Sequence, residues 1–471
     1  MTSSLALRYH VAVRRKPMPR RLYFFPAFLP LAELVPWLLA LLGAVAGLAG
    51  FTAFMRRHRR IVAAFAAILM LAGMGAWWVR GPSLAIRLHG SQAVAELPVP
   101  RAFDLPPRPA PLPEKSPGLT LLWNRRADRQ ILSTPVLAHG LLLYGQYDGG
   151  VMALRAADGA PAWFLPTSEP VFALTPAPGG RVYASEGLHY TVAAALIAID
   201  AATGAPAWAR RFGGHIEETA TLDPLRNRLY TGTGPEGLWA LDANDGAPLW
   251  HAAIGHLDAT PLLLGDTLYV PAQPKEGSDH SVFYALDAAN GTTRWSISLP
   301  GQPWGSPVAD RTGRLILTST GRGQIGVPRK DDAGWAQAIT PNGTIVWQRP
   351  LASMPLQPGL YAPEADLIIH ALKNGDLVAL AAKDGAIVWQ ASAGGELQAP
   401  AVFAAHGRLV AAVTYDGVFT LRDTATGIER ARWNVGKYTT AAPVDADDIL
   451  YVPGAWSLAA FGGLDALADK P

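Results

Sequence analysis

The chain has 471 residues, 40 Lys and Arg against 37 Asp and Glu, a formal net charge of +3 and no cysteine. The missing cysteine excludes structural disulfides, thiolate metal sites and a lipidated N-terminal cysteine, and leaves the redox compartment open. Residues 1 to 60 hold ten Lys and Arg against the single acid Glu33, so residues 61 to 471 carry a net −6. A mildly acidic domain lacks the basic face that displaces counterions from phosphate, which excludes nucleic-acid binding.

Residues 1–36 read as a basic tail, of which Leu22 to Pro36, with three prolines, is an interfacial or re-entrant piece. Two uncharged stretches follow, 37–55 and 61–79, each nineteen residues long and separated by RRHRR. Each has the length that crosses a hydrocarbon core, so 37–80 is predicted to be a transmembrane helical hairpin, with Trp77 and Trp78 at the interface. Tail and loop are both basic, so the positive-inside rule does not by itself orient the hairpin. Residues 81–118 read as a linker. Its part from 98 to 117 carries eight prolines and is expected to stay out of helix and sheet as a semi-rigid spacer that holds the next domain off the bilayer.

From Leu119 to Gly463 the chain repeats itself; 464–471 is a tail. Units such as LRAADGAPAW, IDAATGAPAW, LDANDGAPLW and LAAKDGAIVW place a tryptophan four residues after a turn glycine, at Trp163, Trp208, Trp250, Trp295, Trp347 and Trp389; the seventh, Trp433, follows its glycine by six. These tryptophans recur at intervals of 42 to 52 residues, a period that fits four short strands and their turns. The glycine supplies the positive φ of a tight hairpin, and the indole is expected to pack between neighbouring sheets with its N–H on a carbonyl. Eight upstream strands (LLLYG, RVYAS, RLYTG, TLYVP, RLILT, DLIIH, RLVAA, ILYVP) stand against seven Gly-Trp turns. The missing tryptophan strand is LTLLWNRR around Trp123, which predicts that this strand becomes the outer strand of the last blade. The expected fold is all-β: an eight-bladed β-propeller of four-stranded antiparallel blades, closed by a borrowed strand that removes the open edges a linear array would expose.

The Asp-Gly-x-x-x-Trp repeat resembles the PQQ-type propeller repeat, found in quinoprotein dehydrogenases and in the outer-membrane assembly lipoprotein BamB, and the resemblance covers about 350 residues. In the family's enzymes the resemblance implies a quinone held against a vicinal disulfide, calcium bound by Glu, Asn and Asp, and an Asp base. A cysteine-free propeller without large insertions is expected to have no cofactor and to act instead as a protein-binding scaffold or assembly subunit of an inner-membrane complex, with the propeller in the periplasm. The alternatives are a PQQ- and calcium-dependent membrane oxidoreductase and a ligand or metal sensor acting through the hairpin.

Two consecutive inter-blade connections, GGHIEETA and IGHLDATP, put His215 and Glu217 in register with His256 and Asp258. Two imidazoles and two carboxylates form a donor set for a divalent ion, with Glu218 beside them; solvated polar residues at a channel mouth are the alternative. The turns between the second and third strands are tight in four blades and extended in blades two, four and five, from Ser185, Pro271 and Ser319. Inserts in a repeat protein gather on its binding face, so His189, Tyr190, Lys275, Asp279, His280, Arg322, Arg329, Lys330 and Trp335, with Trp304 on the connection into blade five, are candidate partner contacts.

Overall fold

Each repeat supplies four short apolar runs, and in the computed structural model each becomes a strand. The structure describes residues 91–94, 96–102, 118–275, 278, 280–303, 305–320 and 333–469. The stretches 37–55 and 61–79 lie outside them; no helix among the described residues is long and apolar enough to cross a membrane.

Eight antiparallel sheets follow one another in chain order. Blade 1 is typical: Val136–Ala138, Leu141–Gly145, Val151–Arg155 and Pro161–Leu165 run from the inner strand to the outer. Blades 2 to 7 begin at Val171, Thr221, Leu262, Val308, Leu360 and Val402, and blade 8 is built from Val444–Ala446, Ile449–Gly454 and Ser457–Gly462. The outer strand of blade 8 is Thr120–Arg126, paired antiparallel with Ser457–Gly462, so the strand that precedes blade 1 closes the ring as the repeat count predicts.

The indoles hold blade to blade. Trp208 of blade 2 is buried and donates its Nε1–H to the Ala243 carbonyl in the turn of blade 3, at 3.2 Å. The same bond joins Trp123 to Ala156 and Trp163 to Ala201, Trp250 to Ala288 and Trp295 to Pro341, and Trp347 to Ala382 and Trp389 to Thr424. Within its own sheet each of these seven indoles lies opposite an alanine of the third strand, as Trp208 does with Ala198, and the small residue leaves room for the ring. Trp433 differs: it pairs with Phe419, and its N–H finds no acceptor among the described residues. Its unit has the stretched Gly-Trp spacing, and the next blade has no Gly-Trp turn to receive it.

The turn glycine answers to a second constraint besides its positive φ. Gly246 has φ +69°, and a Cβ there would stand 2.6 Å from the Trp208 ring. Gly265 has a similar φ of +59° with nothing within 4 Å. Gly265→Ala is therefore expected to cost only the left-handed strain, about 1 kcal/mol, and Gly246→Ala about 3 kcal/mol because it also displaces the indole. Urea unfolding of the two variants checks the difference; equal costs would mean that the indole does not rest on the turn.

The linker departs from the sequence expectation. Gln92–Ala93 pairs with Arg210 and Arg211 as a fifth strand on blade 2, and Arg101–Ala102 pairs with Trp163 and Phe164 on blade 1. Arg101 and Ala102 lie between prolines but are not prolines, and an outermost strand needs hydrogen bonds on one side only. Of the stretch 98–117 the described part, 98–102, therefore contributes to a sheet, where it covers an edge that would otherwise be open.

Candidate functional site

The connection between blades 2 and 3 carries His215, and the next connection carries His256 and Asp258. Both backbones are clamped. Next to His215, Ile216 donates its N–H to the Glu186 carbonyl at 3.2 Å; on the following connection Leu257 and Gly234 exchange N–H···O bonds of 3.0 and 3.2 Å, and His256 and Gln273 exchange bonds of 2.7 and 2.9 Å. Gly234, at φ +55°, lets the His215 ring lie on the backbone; a Cβ there would meet the imidazole at 2.6 Å.

These constraints bring three sequence-predicted residues together. Asp258 Oδ1 lies 2.9 Å from His215 Nε2 and Asp258 Oδ2 lies 2.8 Å from His256 Nε2, with both imidazoles buried. Burial by itself would raise the Asp258 carboxyl, but the bonds and charges of the two imidazoles overrule it and hold it well below the usual carboxylate range. His189, singled out above as a partner contact, arrives from the blade 2 insert, and its ring centroid is 4.7 Å from that of His215 and 5.3 Å from that of His256. The His215 and His256 centroids are 5.2 Å apart. One nitrogen from each ring and one Asp258 oxygen lie within 4.8 Å of one another. Glu217 stands outside this group, 3.9 Å from His189 Nδ1, and its carboxyl is raised by burial and then by Asp258.

The histidines sit beside a central cavity of about 610 Å³, lined by inner-strand residues such as Val136, Phe172 and Val308. Glu217, Glu218 and Asp258 also line it, and no Lys or Arg is among its described lining residues. Glu218 is pushed up to about 8 by burial, then by Glu217 and Asp258, against the opposing bond from Thr260, so it holds its proton at neutral pH. PQQ is a tricarboxylate. Three acidic side chains without a facing cation do not fit it, and imidazoles are not the oxygen donors that calcium takes.

Of the remaining sequence candidates, Tyr190 lies beside His189 on the insert. Lys275 and His280 are exposed at the blade 4 insert and do not join the cluster. Trp335 is half-buried in Gly334–Ile339. Asp279, Trp304, Arg322, Arg329 and Lys330 fall outside the described residues.

Residues 167–327 and 332–468 match the family described as outer membrane protein assembly factor BamB. The chain belongs to this family. BamB of Shewanella oneidensis is 28% identical over 233 residues, 46% of this chain and 56% of that protein. BamB of Burkholderia pseudomallei is 25% identical over 244 residues, 49% of this chain and 61% of the relative. The chain thus spans somewhat over half the length of these curated relatives. The crystal structure of BamB from Moraxella catarrhalis superposes with a TM-score of 0.56 at 18% identity, over 73% of this chain and 99% of that one, a likeness of fold.

In this BamB-family propeller the exposed aromatics have a consistent placement. Turns between second and third strands share one face with the inter-blade connections, because both follow strands that run in the same direction. Among the described residues the exposed aromatic side chains are Tyr147, Tyr190, Tyr438 and Trp456. Tyr147, Tyr190 and Trp456 occupy such turns of blades 1, 2 and 8, and Tyr438 occupies the connection from blade 7, edge to face with Tyr415 at 5.5 Å. They form an arc over blades 7, 8, 1 and 2, across the closing seam. On the opposite face the exposed large apolar residues among the described residues include Leu225 and Ile428, neither of them aromatic. The repeat pattern alone could not show this arc, since its members come from four units at unequal positions; the extended blade 2 turn was the one available signal.

Proposed function

We propose that this chain is a membrane-tethered scaffold that binds a protein partner in an envelope assembly complex, with the hairpin of residues 37–80 in the inner membrane and the propeller in the periplasm. The aromatic arc carries this reading. Tyr and Trp are enriched at protein interfaces because they bury a large area at little entropic cost, and here they gather on one face. Membership of the BamB family, and relatives named as assembly factors of the outer membrane, support a role in the envelope. The acidic cavity lining supports binding over quinone catalysis.

The test is retention of partners by the detergent-solubilised full chain. The Tyr190→Ala/Trp456→Ala double variant is expected to retain at least about tenfold less of the envelope proteins held by the parent, whereas Leu225→Ala on the other face retains them fully. Equal retention by all three would contradict the reading.

A further inference from the structure

Three imidazoles and a carboxylate meet beside the cavity, and the scaffold reading gives them nothing to do. We propose that His189, His215, His256 and Asp258 form a binding site for a divalent transition-metal cation, of which zinc is the ion best matched to an N₃O donor set. The inference stands apart from the partner reading, since either can fail without the other.

Four observations converge. One candidate ligand atom from each residue lies within 4.8 Å of the others, so a contraction of roughly 1 Å reaches four-coordinate zinc with its ~2.0–2.1 Å bonds. That contraction has a place to occur: His189 sits on a half-exposed surface turn, while His215 and His256 are buried on clamped backbone. The neighbourhood is short of positive charge, because the Asp258 carboxylate faces the cavity and no described Lys or Arg lines it. Asp258 already points both oxygens at imidazole Nε2 atoms, so a cation entering there replaces hydrogen-bonding protons that shift to the other ring nitrogen or leave for solvent. Nitrogen donors select zinc, nickel or copper over calcium and magnesium, whose sites are built from oxygens. Glu217, close to His189, is placed to orient that imidazole as an outer-shell acceptor.

The experiment uses the untagged full chain in detergent, stripped with a chelator, desalted and titrated with zinc chloride. Bound metal is measured by mass spectrometry and affinity by calorimetry. The expected result is one zinc per chain, and visible bands of a four-coordinate ion when cobalt(II) replaces it. His189→Gln changes a ring on a surface turn and is expected to leave the metal-free melting temperature unchanged while weakening zinc about 10- to 100-fold or more. Lys275→Gln, on the blade 4 insert, is expected to leave affinity untouched. Substoichiometric zinc in the parent, or equal affinity in the parent and His189→Gln, would overturn the assignment.

Discussion

Trp123→Ala is expected to lower the unfolding free energy by about 3–5 kcal/mol, the usual cost of removing a buried indole. Trp123 is the residue by which the borrowed strand grips both of its neighbours. It packs on Tyr451 of blade 8 with ring centroids 6.0 Å apart, and it donates to the Ala156 carbonyl of blade 1 at 2.8 Å. The cluster around it joins Leu142, Tyr144 and Met152 of blade 1 to Leu458 and Ala460 of blade 8. Two residues along the same strand, Arg125 Nη2 donates to the Asp158 carbonyl at 2.8 Å and reinforces the same seam. The informative comparison is with phenylalanine. Trp123→Phe forfeits an N–H···O=C bond worth about 1 kcal/mol besides some area, whereas Trp433→Phe has no such bond to lose and is expected to cost less. Urea unfolding of the three variants checks the order Trp123→Ala, Trp123→Phe, Trp433→Phe. A Trp433→Phe cost equal to that of Trp123→Phe would show that the hydrogen bond contributes nothing.

Acidification is expected to reveal a second large effect, at His370 in the second strand of blade 6, Leu367–Ala371. Its ring is fully buried, neither nitrogen has a hydrogen-bond partner among the described residues, and burial lowers its pKa from 6.5 to about 4. Between those values the unfolded chain takes up a proton that the folded chain refuses, so stability falls as pH falls through this window and the loss levels off below about 4. The full loss is roughly 3 kcal/mol, most of it present by pH 4.5. His370→Leu removes the titrating group and the unsatisfied ring nitrogens together. Its stability advantage over the parent is therefore expected to grow by about 2–3 kcal/mol between pH 7.5 and 4.5. An advantage that does not change with pH would show that His370 is paired or protonated in the folded protein.

The fold was legible because its signals are local and repeated. A glycine and a tryptophan four residues later mark one blade, and Trp123 without a preceding turn announces the seam; the alanine opposite each indole shows only in the register of the strands. The site was legible in part. His215, His256 and Asp258 could be paired from two connections in the same register, but His189 comes from an insert with no counterpart elsewhere, and only packing brings it to them. The short strands Gln92–Ala93 and Arg101–Ala102 escaped for a different reason. A proline-rich context argues against an interior strand but permits a two-residue edge, and the sequence alone does not say which outer strands offer one. The distinct environment of Trp433 had a visible signal, the stretched Gly-Trp spacing, whose consequence appears only once the strands are in register.

The aromatic arc is continuous only if blades 8 and 1 are neighbours, so the seam is the feature on which the proposed docking face depends. Because the chain has no cysteine of its own, an Arg126→Cys/Ser457→Cys variant contains one thiol pair, at positions that face each other across the closing strands. Mild oxidation of the purified, dilute protein is expected to give an intramolecular disulfide in nearly every chain, with peptides containing residues 126 and 457 joined in the mass spectrum and the fold retained. Free thiols, or disulfides formed only between chains, would contradict the closed eight-bladed ring.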